Sequence, residues 1–349
     1  MRTYDIAVIA GDGIGLEVVP AAIRCLDAVA SAEGFAFSWT HYPWGSDHYR
    51  AHGAMMPAGG IATLARHRAV FLGAVGSPGI PDVETLWGLL IPIRREFRQC
   101  VNLRPVRTLP GVASPLADGD GIDLVIVREN VEGEYSEVGG RVYRGRPEEL
   151  ATQEAVFTRA GITRVAAYAA TLAGERRGLL TSATKSNGII HTMPFWDEVV
   201  ASVVAGHPGV RLESVLIDAL AAKLVLDPRR FDVIVGSNLF GDILSDLAAA
   251  LTGSIGVAPS ANLNLDGDCP SLFEPVHGSA PDIAGQGVAN PLGQIWAGAM
   301  MLDHLGETAA AARLVAAFES ALRDGVRTAD LGGSAGTTDF ADAVVARLG

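Results

Sequence analysis

Val233-Ile234-Val235, followed closely by Asn238-Leu239-Phe240-Gly241-Asp242-Ile243-Leu244-Ser245-Asp246, is where the chain declares its architecture. Three β-branched residues make a short apolar run of the kind found in strands covered on both faces. The nonapeptide after it looks like a strand end turning into a helix, and a spacing of four sets Asp242 and Asp246 on one helical face. Farther out the pattern recurs. Ile6-Ala7-Val8-Ile9, Ala69-Val70-Phe71-Leu72 and Leu124-Val125-Ile126-Val127 alternate with helical patterns such as Leu16 to Ala30 and Ala309 to Arg323. That alternation predicts an α/β fold around a largely parallel sheet. The interval from Val131 to Arg159 is polar and glycine-bearing instead, with Val138-Gly139-Gly140-Arg141-Val142-Tyr143 resembling a hairpin; it reads as a surface loop or as an arm reaching a second subunit.

Two like charges four residues apart on a helix repel. From Phe231 to Glu274 there is no lysine or arginine, yet Asp232, Asp242, Asp246, Asp266, Asp268 and Glu274 all fall there, so something else must balance any that are buried. A hard divalent cation such as Mg²⁺ or Mn²⁺ would turn the repulsion into binding. A solvated acidic first turn favoured by the helix dipole explains the same pair. Asp218, in Leu216-Ile217-Asp218-Ala219, is a third candidate ligand because its neighbours are apolar, although a half-buried cap fits it as well.

Lysine is nearly absent: of 27 basic residues only Lys185 and Lys223 are lysines. Arginine keeps its proton in essentially every protein site, whereas a desolvated ammonium can give one up, so a retained lysine is a candidate base. Thr181-Ser182-Ala183-Thr184-Lys185-Ser186-Asn187 follows the apolar Gly178-Leu179-Leu180, as a site at the end of a buried strand would. Among the arginines, Arg94 follows the apolar Leu86 to Ile93, Arg104 lies in Asn102-Leu103-Arg104-Pro105, and Arg128 closes a strand-like run. Two or three bidentate guanidiniums converging on one pocket would suit a small diacid. Tyr135, in Glu132-Gly133-Glu134-Tyr135, offers a phenol that could donate a proton.

A chain of 349 residues with 49% hydrophobic content can bury a large core and divide into two lobes. Net charge −12 argues against nucleic acid as the main partner, since phosphate binding needs a basic face. Cys25, Cys100 and Cys269 lack metal-type spacing, and their odd number suits a reduced, cytoplasmic setting. The opening residues show no signal-peptide pattern, and the longest uncharged stretch, Leu247 to Leu265, carries Pro259, Asn262 and Asn264, which makes a membrane span improbable. Gly11-Asp12-Gly13-Ile14-Gly15 is a poor dinucleotide fingerprint, because Leu16 stands at the sixth position and no acid closes a second strand at the expected distance. Glu274 to Gly285 is a better nucleotide loop. Its amides and His277 could surround an adenosine, and Asp282 could accept bonds from both ribose hydroxyls while repelling a 2′-phosphate.

These motifs, in this order and over essentially the whole length, resemble the β-decarboxylating dehydrogenases, which include isocitrate, 3-isopropylmalate, tartrate and D-malate dehydrogenases. Leu86-Trp87-Gly88, Arg94-Arg95-Glu96-Phe97 and Pro270-Ser271-Leu272-Phe273-Glu274-Pro275 look closest to the tartrate/D-malate branch. The resemblance implies a two-domain isopropylmalate/isocitrate dehydrogenase-like fold that is not a Rossmann fold. Residues 1–99 plus 256–349 would form a large discontinuous domain with most of the NAD site; 100–255 would form a small domain with the dimer interface, the clasping arm and the metal aspartates.

It further implies that Arg94, Arg104 and Arg128 hold the carboxylates of a malate-type 2-hydroxy acid and that Asp218, Asp242 and Asp246 hold Mg²⁺ or Mn²⁺. Lys185 would take the hydroxyl proton as hydride leaves for NAD, Tyr135 would protonate the enolate left by loss of CO₂, and Lys185 and Asp218 would act across a homodimer interface. His277, Gly278, Ser279, Ala280, Asp282, Asn290 and Asn187 are the implied cofactor contacts, with Asp282 favouring NAD. Leu90 matches a leucine that touches the isopropyl group in isopropylmalate dehydrogenases, which keeps that activity as the alternative within the family. A non-catalytic regulatory subunit is the alternative from another class, opposed by the presence of Lys185, Tyr135, Asp218, Asp242 and Asp246 together.

Overall fold

The structure is a computed structural model that describes residues 2–349. In chain order it contains β1 (Arg2–Gly11), α1 (Gly15–Glu33), β2 (Phe35–His41), α2 (Ser46–His52), α3 (Gly60–Leu64), β3 (Ala69–Ala74) and α4 (Asp82–Thr85). A π-helical turn, Leu86–Leu90, runs into α5 (Ile91–Glu96). Then come β4 (Val101–Arg107), β5 (Asp123–Glu129), β6 (Gly139–Val142), β7 (Leu150–Gln153), α6 (Arg159–Glu175), β8 (Leu179–Thr184), α7 (Thr192–Val204), β9 (Arg211–Leu216), α8 (Ile217–Leu226), β10 (Val233–Gly236) and α9 (Asn238–Leu251). The chain closes with β11 (Pro259–Leu263), β12 (Ser271–Pro275), α10 (Leu292–His304), α11 (Thr308–Arg323) and α12 (Thr337–Val345).

Two compact units share these elements: the residues up to Gln99 with Arg107–Asp120 and Ala249–Gly349, and Cys100–Val106 with Gly121–Ala248. Against boundaries drawn at 100 and 255, residues 107–120 and 249–255 fall with the first unit. The contacts explain why: Arg107 pairs with Glu319 of α11 and stacks on Trp296 of α10, and the Ser114 hydroxyl donates to the Leu251 carbonyl.

In the first unit the strands run in the order β2-β1-β3-β12-β11, with β1, β2, β3 and β12 parallel and only β11 reversed. All six residues of β3 are buried, which is why it appears in sequence as an unbroken apolar run. Helix α1 covers this sheet through Val18, Ala22, Cys25, Leu26 and Val29, a stripe at helical spacing. Each fully buried aliphatic side chain here contributes about 1.5–3 kcal/mol.

In the second unit the order is β4-β5-β10-β8-β9, parallel from β5 through β10 and β8 to β9. A separate antiparallel hairpin, β6 with β7, is exposed at every residue. Helix α9 starts against the end of β5, where a Cβ on Gly241 would lie 2.6 Å from the Cβ of Arg128. Only glycine permits that approach.

Glu129, the last residue of β5, is fully buried. Its carboxylate accepts the backbone N–H of Val131 at 2.9 Å and of Glu132 at 3.1 Å, fixing the turn that leaves the strand. Burial outweighs these bonds and pushes the carboxyl up from 4.5 to about 7. Its contribution to stability is therefore complete below its unfolded value and is lost as pH rises through about 7. Glu129→Gln retains an oxygen for both N–H groups and does not titrate. Between about pH 5 and pH 8 it should gain on the wild type by roughly 2 kcal/mol in unfolding free energy. Urea unfolding at several pH values checks this, and parallel curves for the two proteins would refute it.

Candidate active site

In the second unit, β4 and β5 deliver Arg104 and Arg128 to the face of α9 that carries Asp242 and Asp246. Arg104 Nη1 donates to Asp242 Oδ1 at 3.2 Å, to Asp246 Oδ1 at 3.3 Å and to Ser245 Oγ at 2.6 Å, while its Nε reaches Asn102 Oδ1 at 2.7 Å. Arg128 Nη1 bonds the same Asp242 oxygen, and its Nε and Nη2 donate to Asn238 Oδ1 at 3.0 and 2.7 Å. Both arginine side chains are buried, whereas Asp242 is 30% and Asp246 56% exposed. Tyr135 completes the group: its hydroxyl donates to Asp242 Oδ2 at 2.9 Å, and the Arg128 guanidinium stands over its ring. The lysine- and arginine-free stretch is thus balanced from elsewhere in the chain. Asp232 is answered in the same way, by Arg176 Nε at 2.7 Å and the Arg177 backbone N–H at 2.8 Å.

Lys185 stands one residue beyond β8 and donates to Asp218 Oδ1 at 2.6 Å. That bond holds the Asp218 carboxyl below its usual range. The apolar neighbours of Asp218 suggest half-burial, but its side chain is 67% exposed. Helix α8 buries Leu220 and Leu224, and a residue two positions before Leu220 points to the opposite side. Among the described residues no third carboxylate, histidine or cysteine joins Asp242 and Asp246 in a group able to hold a metal ion. Within one chain, then, Arg104, Arg128, Tyr135, Asp242 and Asp246 come together, while Lys185 and Asp218 form a separate exposed pair. The donor chemistry of the first group suits a hard divalent ion: two carboxylates one helical turn apart, with the Asp246 carboxyl raised mainly by burial and held back by Arg104. Lys223 lies in the last turn of α8, where a cation suits the helix dipole.

In the first unit, buried Arg94 donates through Nη2 to Glu274 Oε1 at 2.9 Å, and Glu274 also takes Asn262 Nδ2 at 2.8 Å. Arg94 Nε is buried without a partner among the described residues. Leu90 packs in the core with Ile9, Leu72 and Met55 and is 8% exposed. The loop after β12 is held by two acidic clamps. Glu17 of α1 accepts the N–H of Gly285 at 2.5 Å and of Gly287 at 2.8 Å. Asp12 takes Ser46 N, Ser46 Oγ and Gly76 N, all within 2.8 Å, and so fixes the turn whose Ile14 N–H bonds the Ser279 carbonyl at 2.9 Å. Gly13 sits at φ +54°, where a Cβ would meet that carbonyl at 2.1 Å.

His277 uses Nδ1 on the Gly278 carbonyl, whereas its Nε2 is buried and without a partner among the described residues; burial lowers its pKa. An unmet ring nitrogen beside Gly278 fits a nucleotide base. Ser279 is buried, Ala280 is forced to φ +40°, and Asp282 is exposed. Asn290 is already occupied, donating to Asp330 and accepting from Leu292 N. Asn187 is exposed in the turn after Lys185. Sequence reasoning gave no roles to Asn102, Asn238, Ser245, Glu134 or Glu274, although each orients one of the residues above or the helix beneath it. The available signal was an amide or hydroxyl placed beside a charged residue in an otherwise apolar motif.

Residues 5–344 match the family described as isocitrate/isopropylmalate dehydrogenase. A probable tartrate dehydrogenase/decarboxylase of Bacillus subtilis (strain 168) is 53% identical over 100% of this chain and 99% of that protein. The D-malate dehydrogenase [decarboxylating] of Escherichia coli (strain K12) is also 53% identical, over 99% and 98% of the two chains. The crystal structure of isocitrate dehydrogenase from Methylococcus capsulatus superposes with TM-score 0.90 at 35% identity, covering 99% of each chain. With the whole length matched in sequence and in fold, this chain belongs to the isocitrate/isopropylmalate dehydrogenase family.

Proposed function

We propose that the protein oxidises and decarboxylates a malate-type 2-hydroxy dicarboxylic acid, D-malate or tartrate, with NAD and a divalent metal, Mg²⁺ or Mn²⁺. The observation that carries this is the cluster on α9: two buried guanidiniums, one phenol and two carboxylates within hydrogen-bond reach of one another. Its two signs of charge answer the two parts of such a reaction, an anionic substrate and a cation. The names of the two 53% identical relatives support the choice of acid.

Asp242 and Asp246 would hold the metal together with Asp218 of a second copy. When bound, metal and NAD supply acidification of the substrate hydroxyl, charge stabilisation at its oxygen and a hydride acceptor. The chain supplies the rest. Arg104 and Arg128 grip carboxylate bidentately and orient it, and Arg94, with its unmet Nε, offers the same grip in the first unit. Lys185 takes the hydroxyl proton, kept near its place by Asp218. Tyr135 returns a proton to the carbon that loses CO₂. The loop from His277 to Asp282 takes the dinucleotide, with Asp282 discriminating against a 2′-phosphate.

In this reading the active form is a homodimer with shared sites, supported by the separation of Lys185 and Asp218 from the Asp242 cluster within one chain. A comparison of kcat/KM for D-malate, tartrate, 3-isopropylmalate and isocitrate, with NAD⁺ and Mn²⁺, tests the substrate assignment. D-malate or tartrate should lead; if 3-isopropylmalate leads, Leu90 was the better guide. The shared site makes a separate prediction. Lys185→Met and Asp242→Asn should each be inactive, yet subunits mixed and reassembled should recover roughly a quarter of wild-type activity, because half the dimers carry one intact site. No recovery from proven mixed dimers would place both residues in the same chain's site. Asp282→Lys should lower kcat/KM for NAD⁺ at least about tenfold and raise NADP⁺ use; unaltered cofactor kinetics would remove Asp282 from the nucleotide site.

A further inference from the structure

We propose that Glu134 is a positioning residue that holds the Tyr135 phenol in register with Asp242 by clamping the start of α9. The proposal rests on the reading of Tyr135 as the proton donor.

Three contacts tie residues 132–134 to the first residues of that helix. The Glu134 carboxylate accepts the Ser237 hydroxyl at 2.7 Å through one oxygen and the Leu239 N–H at 3.1 Å through the other. One position away, Asn238 Nδ2 donates to the Glu132 carbonyl at 3.1 Å. Between them Gly133, at φ +81°, bridges to Val156 through both its N–H and its carbonyl, at 2.7 and 2.9 Å. One turn further along the same helix, Asp242 receives the Tyr135 hydroxyl. Neighbouring Cα atoms are fixed about 3.8 Å apart. Anchoring Glu134 at Ser237 and Leu239 therefore sets where the Tyr135 ring can reach on α9.

Helix capping alone does not account for the arrangement. Ser237 Oγ already lies 3.4 Å from the Phe240 N–H, as an N-cap side chain does, so the helix has a cap of its own. Glu134 adds a second, charge-assisted acceptor whose distinctive property is its origin: it comes from the segment carrying the phenol. The Glu134 carbonyl is held as well, by Gln153 Nε2 at 2.9 Å, so main chain and side chain of this residue are both pinned. A tyrosine on a loop without such an anchor would sample many positions, and proton return requires a reach of about 3 Å.

The test uses the full-length enzyme with NAD⁺, Mn²⁺ and D-malate, unlabelled or deuterated at C2, in H₂O and D₂O. Glu134→Ala should lower kcat about tenfold or more while KM for D-malate and for NAD⁺ stays within about twofold. Its primary isotope effect should fall toward one and its solvent isotope effect should rise, because proton return and not hydride transfer has been slowed. Glu134→Gln, which keeps one acceptor oxygen for Ser237, should recover most of the rate. A drop in kcat with both isotope effects as in wild type overturns the proposal, since loss of structure alone does not change which step limits. If Glu134→Ala fails to fold, Ser237→Ala should shift the isotope effects in the same direction by less, and wild-type values there overturn the proposal too. Tyr135→Phe separates the two levels. If it leaves the isotope effects unchanged, the donor assignment falls and the positioning role with it; if it shifts them and Glu134→Ala does not, only the positioning role falls.

Discussion

Asp242 and Asp246 stand one turn apart on α9, and two carboxylates so placed repel unless positive charge is brought to them. The fold brings two guanidiniums from neighbouring strands, and much of the second unit's local geometry follows from that meeting. Arg104 and Arg128 are buried, so each needs its full set of acceptors; Asn102, Ser245 and Asn238 supply the ones that the aspartates leave unfilled. Gly241 is required because the helix must lie against the Cα of Arg128 for the pair to form. Removing Asp242 would leave two buried guanidiniums short of an acceptor, whereas removing an arginine would leave carboxylates that water still reaches. The cluster therefore holds both signs of charge side by side, which is what the proposed anionic substrate and divalent cation would each require.

A second regularity concerns acids that have no basic partner. The chain carries 39 acidic residues against 27 basic ones, yet its carboxylates are well used. Asp12 and Glu17 in the first unit and Glu129, Glu132 and Glu134 in the second each accept a backbone N–H from a loop or from the start of a helix. A carboxylate holding two amides fixes the main chain with charge-assisted bonds and needs no counter-ion nearby. In both units these anchors sit beside the residues assigned to chemistry. Glu17 and Asp12 hold the loop of His277 and Asp282, and the three glutamates hold the path from Arg128 to Tyr135. In the first unit apolar packing adds to these bonds, since Ala280, Ile283 and Ala284 of the same loop lie against Ile14, Val18 and Ala289.

The strands that were legible in sequence are those buried on both faces, since β3, β5 and β10 show unbroken apolar runs; α1 and α11 were legible from their 3.6-residue stripes. Strand β11 was hidden. All five of its residues are buried, but they include Ser260 and Asn262, and Asn262 depends on a glutamate in the adjacent strand. Hydropathy does not register a polar strand whose hydrogen-bond partners lie elsewhere in the chain. The candidate site divides in the same way. The aspartate pair and the strand-end Arg128 follow from local spacing, whereas the pairing of Arg104 with Asp242 joins residues 138 positions apart. Asp218 is exposed for a related reason: its apolar neighbours in sequence are not its neighbours in space. Helix α8 turns them away from it.

The Lys185–Asp218 pair gives the last step. An ion pair 30% and 67% exposed stabilises too little to explain by itself why lysine is kept at this position in a chain with only one other lysine, Lys223. The proposed role of Lys185 as a base would also need an environment drier than its 30% exposure in one chain. Close by in sequence, Ile190 is 69% exposed and Leu226 is 82% exposed, so the turn after Lys185 and the end of α8 both present large apolar side chains to solvent. Covering those side chains with a second copy would desolvate the amine and bring its aspartate to another chain's carboxylates in one association step. In the proposed homodimer the exposed apolar residues, the Lys185–Asp218 pair and the need for a third carboxylate beside Asp242 and Asp246 become a single requirement, which a symmetric partner would satisfy at once.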